Sequence, residues 1–392
     1  MRHRTKWSTY CLAAILAASS LMACAKSPTV SETGVSGYEE SDGRVKAQVG
    51  EKITVDAELF TQPDRESYEV LHAGFDDSGD LDTIIQTLFP ERDDLTVTPF
   101  DSNDTEYNVS TLDYSETLIY GGSSHLIDFS ENTKGYSTFL SDLDDDQYDQ
   151  RYQHIETLAD QHIDVFDKIE DIEIPGYSKE QAIADVYEAL QKMGLAVQEK
   201  PYAMYGISAE TIQNYYAEKK DNFKNSPNFS VPELNADDSI YCMLWNVEIN
   251  DTPIVSGNYP SSESERCNVR GGVERGCLVY VVTTKNRIVR VATGNQFKIE
   301  EKEPEEKILS LEEILAAAPE YYKNRLLNEE RTISRISFCY IPVVTEVGEQ
   351  TGEYHFDLIP GWTLDASYEM PGREGVYWDV IYINAITGEV IE

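Results

Sequence analysis

Several short stretches of this 392-residue chain bring together residue types able to hold a metal ion or activate a nucleophile. In "DLDDDQYDQRYQ", Asp142, Asp144 and Asp146 stand at the first, third and fifth positions of a calcium loop. Such a loop needs Gly at its sixth position and a bidentate Glu at its twelfth. Those positions hold Gln147 and Gln153, so the acids are read as the first turn of a helix, where the dipole favours them. The stretch "DDSGDLD" (76–82) is read in the same way, as a turn and helix cap. His154 and His162 lie eight apart, whereas a zinc protease helix needs His at i and i+4. His72, His125 and His355 form no spacing pattern. Ser123, Ser124 and His125 are adjacent, but adjacency is not a catalytic geometry. The chain has no G-x-S-x-G elbow, phosphate loop, G-x-G-x-x-G or CxxC, so no cofactor or metal is expected. Trp245, Trp362 and Trp378 fall on or beside strand-like segments. Exposed, they would offer a platform for a glycan or peptide; buried, they fill a core. The core reading is expected for Trp245, Trp378 and also Trp362, which follows Gly361.

The N-terminus carries an address. Arg2, Arg4 and Lys6 precede the apolar run "YCLAAILAASSL", too short to span a bilayer and suited to a secretory signal. The next residues, "LMAC" (21–24), resemble the lipobox of bacterial lipoproteins. That resemblance implies cleavage before Cys24 and a diacylglyceryl group on its sulfur, anchoring the chain to the outer face of a membrane. Residues 24–50, rich in Ser, Thr, Gly and Glu, are expected to form a flexible tether. In such an extracytoplasmic setting disulfides are permitted. Cys267 and Cys277, flanking "NVRGGVERG", are candidates for a local bridge, while Cys242 and Cys339 sit in strand-like apolar runs.

The chain holds 71 acidic and 32 basic residues, net −39; without residues 1–23, which carry three positive charges and no acid, the net charge is −42. A surface of that sign repels nucleic acid and anionic headgroups and keeps the protein soluble. It also leaves open cation binding or a basic partner. An apolar content of 41% is enough for true cores.

Periodicity divides the remainder into 51–175, 176–300 and 301–392. The first region combines strands such as "EKITVDAELF" and "TEYNVSTLDYSETLIYGG" with an acidic amphipathic helix carrying Tyr148, Tyr152, Ile155 and Leu158. Each later region opens with a capped helix, Ser178/Gln181 and Ser310/Glu313, and continues into three strand-like stretches. The expected fold class is α+β: antiparallel sheets, each covered by a helix in a two-layer unit, after a smaller α+β N-terminal region. The terminal "YWDVIYINAITGEVIE" is expected to be a core strand, a Thr387–Gly388 turn and a short return strand.

The closing "YINAITGEVI" resembles the last hairpin of PepSY domains. The helix-plus-strands duplication, with "FDLIPGWTL", is similar to the accessory proteins that regulate the cell-wall histidine kinase of Gram-positive bacteria, and to a family of uncharacterised clostridial lipoproteins. The resemblance implies no active site. With the lipobox it implies a non-enzymatic, membrane-anchored interaction or sensory module whose partner is an envelope protein. A glycan- or peptide-binding lipoprotein is the alternative, and a hydrolase whose residues converge only in the fold is the remote one.

Overall fold

The computed structural model of the chain describes residues 34–76, 78–90, 92–99, 106–121, 126–136, 139, 171–218, 233–255, 278–293, 296–323, 329–347, 354–370 and 376–391. It begins with the antiparallel strands β1 (Val35–Ser41), β2 (Arg44–Val49) and β3 (Ile53–Thr61). Then come the two-residue β4 (Ser67–Tyr68), β5 (Leu71–Phe75) and helix α1 (Leu81–Leu88). A meander follows, of β6 (Leu95–Pro99), β7 (Glu106–Thr111), β8 (Glu116–Gly121) and β9 (Leu126–Glu131). Next are α2 (Lys179–Lys192), β10 (Ala203–Ile207), α3 (Ala209–Glu218), β11 (Ile240–Asn246), and the small pair β12 (Glu248–Ile249) and β13 (Thr252–Pro253). The chain continues through β14 (Leu278–Thr283), β15 (Ile288–Thr293), β16 (Phe297–Lys302) and β17 (Glu306–Lys307). It ends with α4 (Leu311–Tyr321), β18 (Arg331–Val347), β19 (Tyr354–Glu369), β20 (Val376–Asn384) and β21 (Val390–Ile391).

These strands form two large sheets. One runs β1-β2-β3-β18-β19-β20-β21, with β5 added on β19 and β16 on β5; the other is antiparallel, β10-β11-β14-β15-β9-β8-β7-β6. The expectation of helix-covered two-layer α+β units is therefore overturned: the molecule is sheet-dominated, with four helices among the described residues. The physical reason lies in pairing. An alternating strand declares which face is apolar, not which strand lies beside it. Here β3 pairs in parallel with β18, and β9 antiparallel with β15, in each case with a partner far away in the chain. The boundaries at 175 and 300 cut across both sheets, because β3 and β5 join one and β6 to β9 the other. The tether expected over 24–50 also stops short, since β1 and β2 occupy its second half. Val45 and Val49 of β2 are fully buried, and Ser/Thr/Glu content at the surface of these strands disguised them.

The helices follow their local signals. Asp80 caps α1, accepting from Asp82 N and the Thr83 hydroxyl, and Ile84 and Leu88 bury one face. Ser178 caps α2 by accepting from Gln181 N, but the Gln181 side chain turns to Asp185, so the expected capping box is half closed. In α4 the box is complete: Glu313 returns to the Ser310 backbone N–H at 2.9 Å. The stripes Ala182, Val186, Leu190 and Leu311, Ile314, Leu315, Ala318 enter the main core. Each buried Leu or Ile contributes about 1.5–3 kcal/mol. No helix among the described residues is long and apolar enough to cross a membrane.

The β18–β19 hairpin is the spine. Its strands stay paired from Thr332↔Ser367 to Val347↔Tyr354. β19 changes outer neighbour along its length: residues 355–358 pair with β5 and 361–369 with β20. Pro360, which has no N–H to give, sits at the change, and its carbonyl accepts from Ala385 N at 2.9 Å. Next to it, Gly361 has no room for a side chain: a Cβ would strike Ile341 Cδ1 and lie 2.9 Å from Ile383 O. At the base, buried Arg331 donates to Asp379 at 2.9 Å and lies 3.5 Å over the Tyr368 ring. The Tyr322 hydroxyl also donates to Asp379, so α4, β18, β19 and β20 share one clamp. The terminal hairpin closes as a turn in which Asn384 Oδ1 accepts from Ile386 N and Thr387 N, with Gly388 at φ 75°.

Gly361→Ala is predicted to destabilise the protein by about 1–3 kcal/mol, the usual cost of overpacking, as read by urea denaturation. An unchanged midpoint would contradict this account of the hairpin.

Candidate functional site

The eight-stranded sheet has one edge built unlike the rest of the molecule. A single apolar row crosses the sheet: Val97, Val109, Leu118, Phe129, Val291, Val281, Met243 and Met204 are successive cross-strand partners. Partners in register project to the same face. The inner members from Val109 to Met243 are fully buried, yet Val97 at the end of the row is 47% exposed. Among the described residues its strand, β6, hydrogen-bonds to β7 alone, and "LTVTP" carries no charge in a chain of net −39. Natural sheet edges are usually blunted by charge. Here the one blunting residue is Pro99, at the strand's end.

Four of the five exposed large hydrophobics among the described residues gather here: Val97, Leu112, Tyr114 and Ile119. On the sheet's other face, Thr96, Thr98, Asn108 and Ser110 line a shallow trough of about 390 Å³ that Leu112 and Tyr114 flank. Asn108 Oδ1 is buried there with no hydrogen-bond partner among the described residues. The ends of the edge are acidic, with Asp93, Asp94 and Asp113 at one and Glu106 at the other.

The edge is held firmly from behind. Glu116 of β8 is buried and accepts from Arg92 Nε at 3.0 Å, just ahead of β6. Arg287, in the β14–β15 turn, holds the other Glu116 oxygen. Glu116 is the buried member and both arginines reach it from the surface, so the link ties the residues ahead of the edge strand to the β14–β15 turn. The turn between β7 and β8 is fixed by Asp113, which accepts from the Thr111 hydroxyl at 2.8 Å and Ser115 N at 3.1 Å. Those bonds, Ser115's first, hold the Asp113 carboxyl down to about 2. Tyr114 then takes φ +58°, a left-handed conformation that costs a bulky residue energy, and its ring stands out in solvent.

Of the residues singled out in the sequence, Cys24, Cys267, Cys277, the 142–153 acidic stretch, His154, His162 and the Ser123–His125 triplet lie outside the described residues. Asp76 and Asp80 act as a turn and cap. Cys242 and Cys339 are buried in β11 and β18. Trp245 is fully buried, Trp378 half-buried, and Trp362 is 3% exposed at the floor of a groove beside α4. Folding brings two histidines without a sequence pattern onto one face. His72 Nδ1 lies 2.7 Å from Asp357, with Glu303 at 3.5 Å on its other side, and His355 lies 3.4 Å from Glu300. Among the described residues no group of three or more ligating side chains is placed to hold a metal ion. Sequence reasoning passed over the β6 edge; its signal was five residues without charge between acidic flanks.

No family model matches this chain, and no curated protein does. Among solved structures, it is similar to an uncharacterised protein from Eubacterium rectale ATCC 33656, whose crystal structure is at 1.45 Å resolution. The TM-score is 0.58 at 14% identity, over 90% of this chain and 94% of that one, a likeness of fold alone.

Two outcomes are expected. Glycine adopts the Tyr114 conformation without penalty, so Tyr114→Gly should leave the melting temperature equal or higher; a fall would show that the ring supports the fold. The hydrogen bond that His72 donates to Asp357 raises the His72 pKa above its usual value, so its stabilisation is complete below the unfolded pKa and fades as pH rises through the folded one. Urea midpoints of wild type and His72→Gln should therefore converge as pH rises through the folded-state pKa of His72, and a gap constant with pH would contradict the pairing.

Proposed function

We propose that this chain is a non-enzymatic extracytoplasmic lipoprotein, anchored through a lipid on Cys24, that captures an extended segment of an envelope protein on the β6 edge. The observation that carries the reading is the apolar row that ends, uncovered, on Val97 of an uncharged strand. A strand added beside β6 would satisfy its outward N–H and C=O groups and extend the row by one residue. The partner this chemistry suits has β-branched or aromatic residues at its centre, to cover Val97 on one face and Ile119 and Tyr114 near the other. Basic residues at its ends would meet Asp93, Asp94, Asp113 and Glu106. The firm support of the edge by Glu116 and its two arginines means little is lost in ordering it on binding.

The lipobox supports the anchoring half of the reading. Nine residues separate Cys24 from Gly34, where the described body begins, and the span from Cys24 to Gly34 is at most about 35 Å. The body would therefore work close to the membrane face, within reach of membrane-bound partners.

A photo-crosslinker placed at Leu112 of the lipidated chain in cells is predicted to give one discrete adduct with an envelope protein. Val97→Lys, which puts an unpaired charge into the strand interface, should remove that adduct while leaving thermal stability within about 0.5 kcal/mol. An adduct that survives Val97→Lys would exclude β6 as the docking edge.

A further inference from the structure

The fifth exposed large hydrophobic among the described residues, Val376 at 43%, lies away from the β6 edge, at the start of β20 in the other sheet. β20 is the last long strand on its side of that sheet. Its outer neighbour, β21, has two residues and pairs with Tyr382 and Ile383 alone. Residues 376–381 therefore form an edge with no strand beside it among the described residues.

The backbone bonds at the end of β20 settle which groups this edge offers. Asn384 N donates to Glu389 O at 2.9 Å and Asn384 O accepts from Gly388 N at 2.8 Å, both on the β21 side, whereas Ala385 N donates to Pro360 O of β19. Backbone groups alternate sides along a strand, so the N–H and C=O of Val376, Trp378 and Val380 point outward. Their side chains share one face of the sheet, and Trp378 is half-buried there.

The chemistry of this edge suits a copy of itself. "VYWDVI" carries one charge, Asp379, and that carboxylate is engaged from within, accepting from Arg331 Nε at 2.9 Å and the Tyr322 hydroxyl at 3.2 Å. The outward series Val376, Trp378, Val380 has the same character read from either end. Two copies laid antiparallel about a twofold axis at Trp378 would set Val376 opposite Val380 on both sides and Trp378 opposite itself, each facing pair exchanging both of its N–H···O=C bonds. Aromatic and β-branched residues facing one another in this way are favourable contacts. No like charges would meet, although a net charge of −39 opposes contact between copies over most of the surface. The β6 edge is the reverse case: antiparallel self-pairing there would bring Asp93 and Asp94 of one copy to the Glu106 end of the other.

We propose that the β20 edge pairs with the same edge of a second copy of this chain, giving a twofold dimer in which one sheet runs through both molecules and β21 limits the paired window. This contact is independent of the β6 reading, and the dimer would carry two β6 edges.

The test uses the lipidated full chain. In membranes, Trp378→Cys should give a disulfide-linked dimer on mild oxidation, because facing residues of such a pair have Cα atoms about 5.5 Å apart, within disulfide reach. Tyr377→Cys, on the other face of the strand, should give none. In detergent, sedimentation velocity should show a dimer whose dissociation constant rises at least about tenfold in Val376→Lys, with the melting temperature unchanged because that side chain is already exposed. Trp378→Lys and Trp378→Glu each set like charges opposite at the axis, so each should be a monomer alone and the two should dimerise when mixed. Absence of the Trp378→Cys crosslink, a dimer indifferent to Val376→Lys, or no recovery on mixing would overturn the proposal. Loss of the dimer in Val97→Lys with retention in Val376→Lys would place self-association on β6 and overturn it as well.

Discussion

Everything in the nine-stranded sheet hangs on one long hairpin. β18 and β19 run 17 and 16 residues, roughly three times an average strand. A ribbon of that length cannot be covered by one neighbour on each side. β19 therefore hands over from β5 to β20 at Pro360, and β18 takes β3 along its first half and Ile254 at Tyr340. Each handover draws in a segment from a different part of the chain. The β5 strand brings α1 and the β6–β9 meander with it, and β16 leads back directly from β15 of the other sheet. One core consequently spans both sheets and includes residues from Val45 to Ala385.

The positions of strands and helices were legible in the sequence, and their partners were not. "SIYCMLWNVEI" reads as a strand buried on both sides, and β11 is one, with Tyr241, Met243 and Trp245 in one cluster and Ile240 and Cys242 in a second. The caps at Ser178 and Ser310 were equally plain. What no local pattern revealed is that Arg331 would meet Ile53, or His72 meet Asp357, some 285 residues apart. Long-range pairing is selected by the fit of whole faces. The two early strands were hidden for a different reason. β1 is mostly exposed and β2 buries only alternate positions, so their polar residues outweigh their apolar ones in any compositional reading. Whether Trp362 is buried had a structural answer that spacing could not supply, since it packs beside α4 and the β3–β4 loop.

Charge gives the molecular surface its logic. With 71 acidic residues, association with copies of itself and with acidic surfaces is opposed almost everywhere. A neutral strand with exposed Val97, set between carboxylates, is a place where that opposition is relaxed. In the proposed function, the same carboxylates would favour a partner with basic flanks. Tyr114 is held out at a strained left-handed position by Asp113 and its hydrogen bonds, a cost that a solely structural turn would have avoided with glycine.

The central claim is that β6 gains a neighbour in the native envelope. Amide hydrogen exchange across residues 95–99 tests it most directly, compared between the purified protein and the lipidated protein in its native membranes. The account predicts that the outward-facing amides of β6 slow by tenfold or more in the membranes, while those of the other edge strand, β10, stay unchanged. Equal exchange at β6 in both preparations would contradict it.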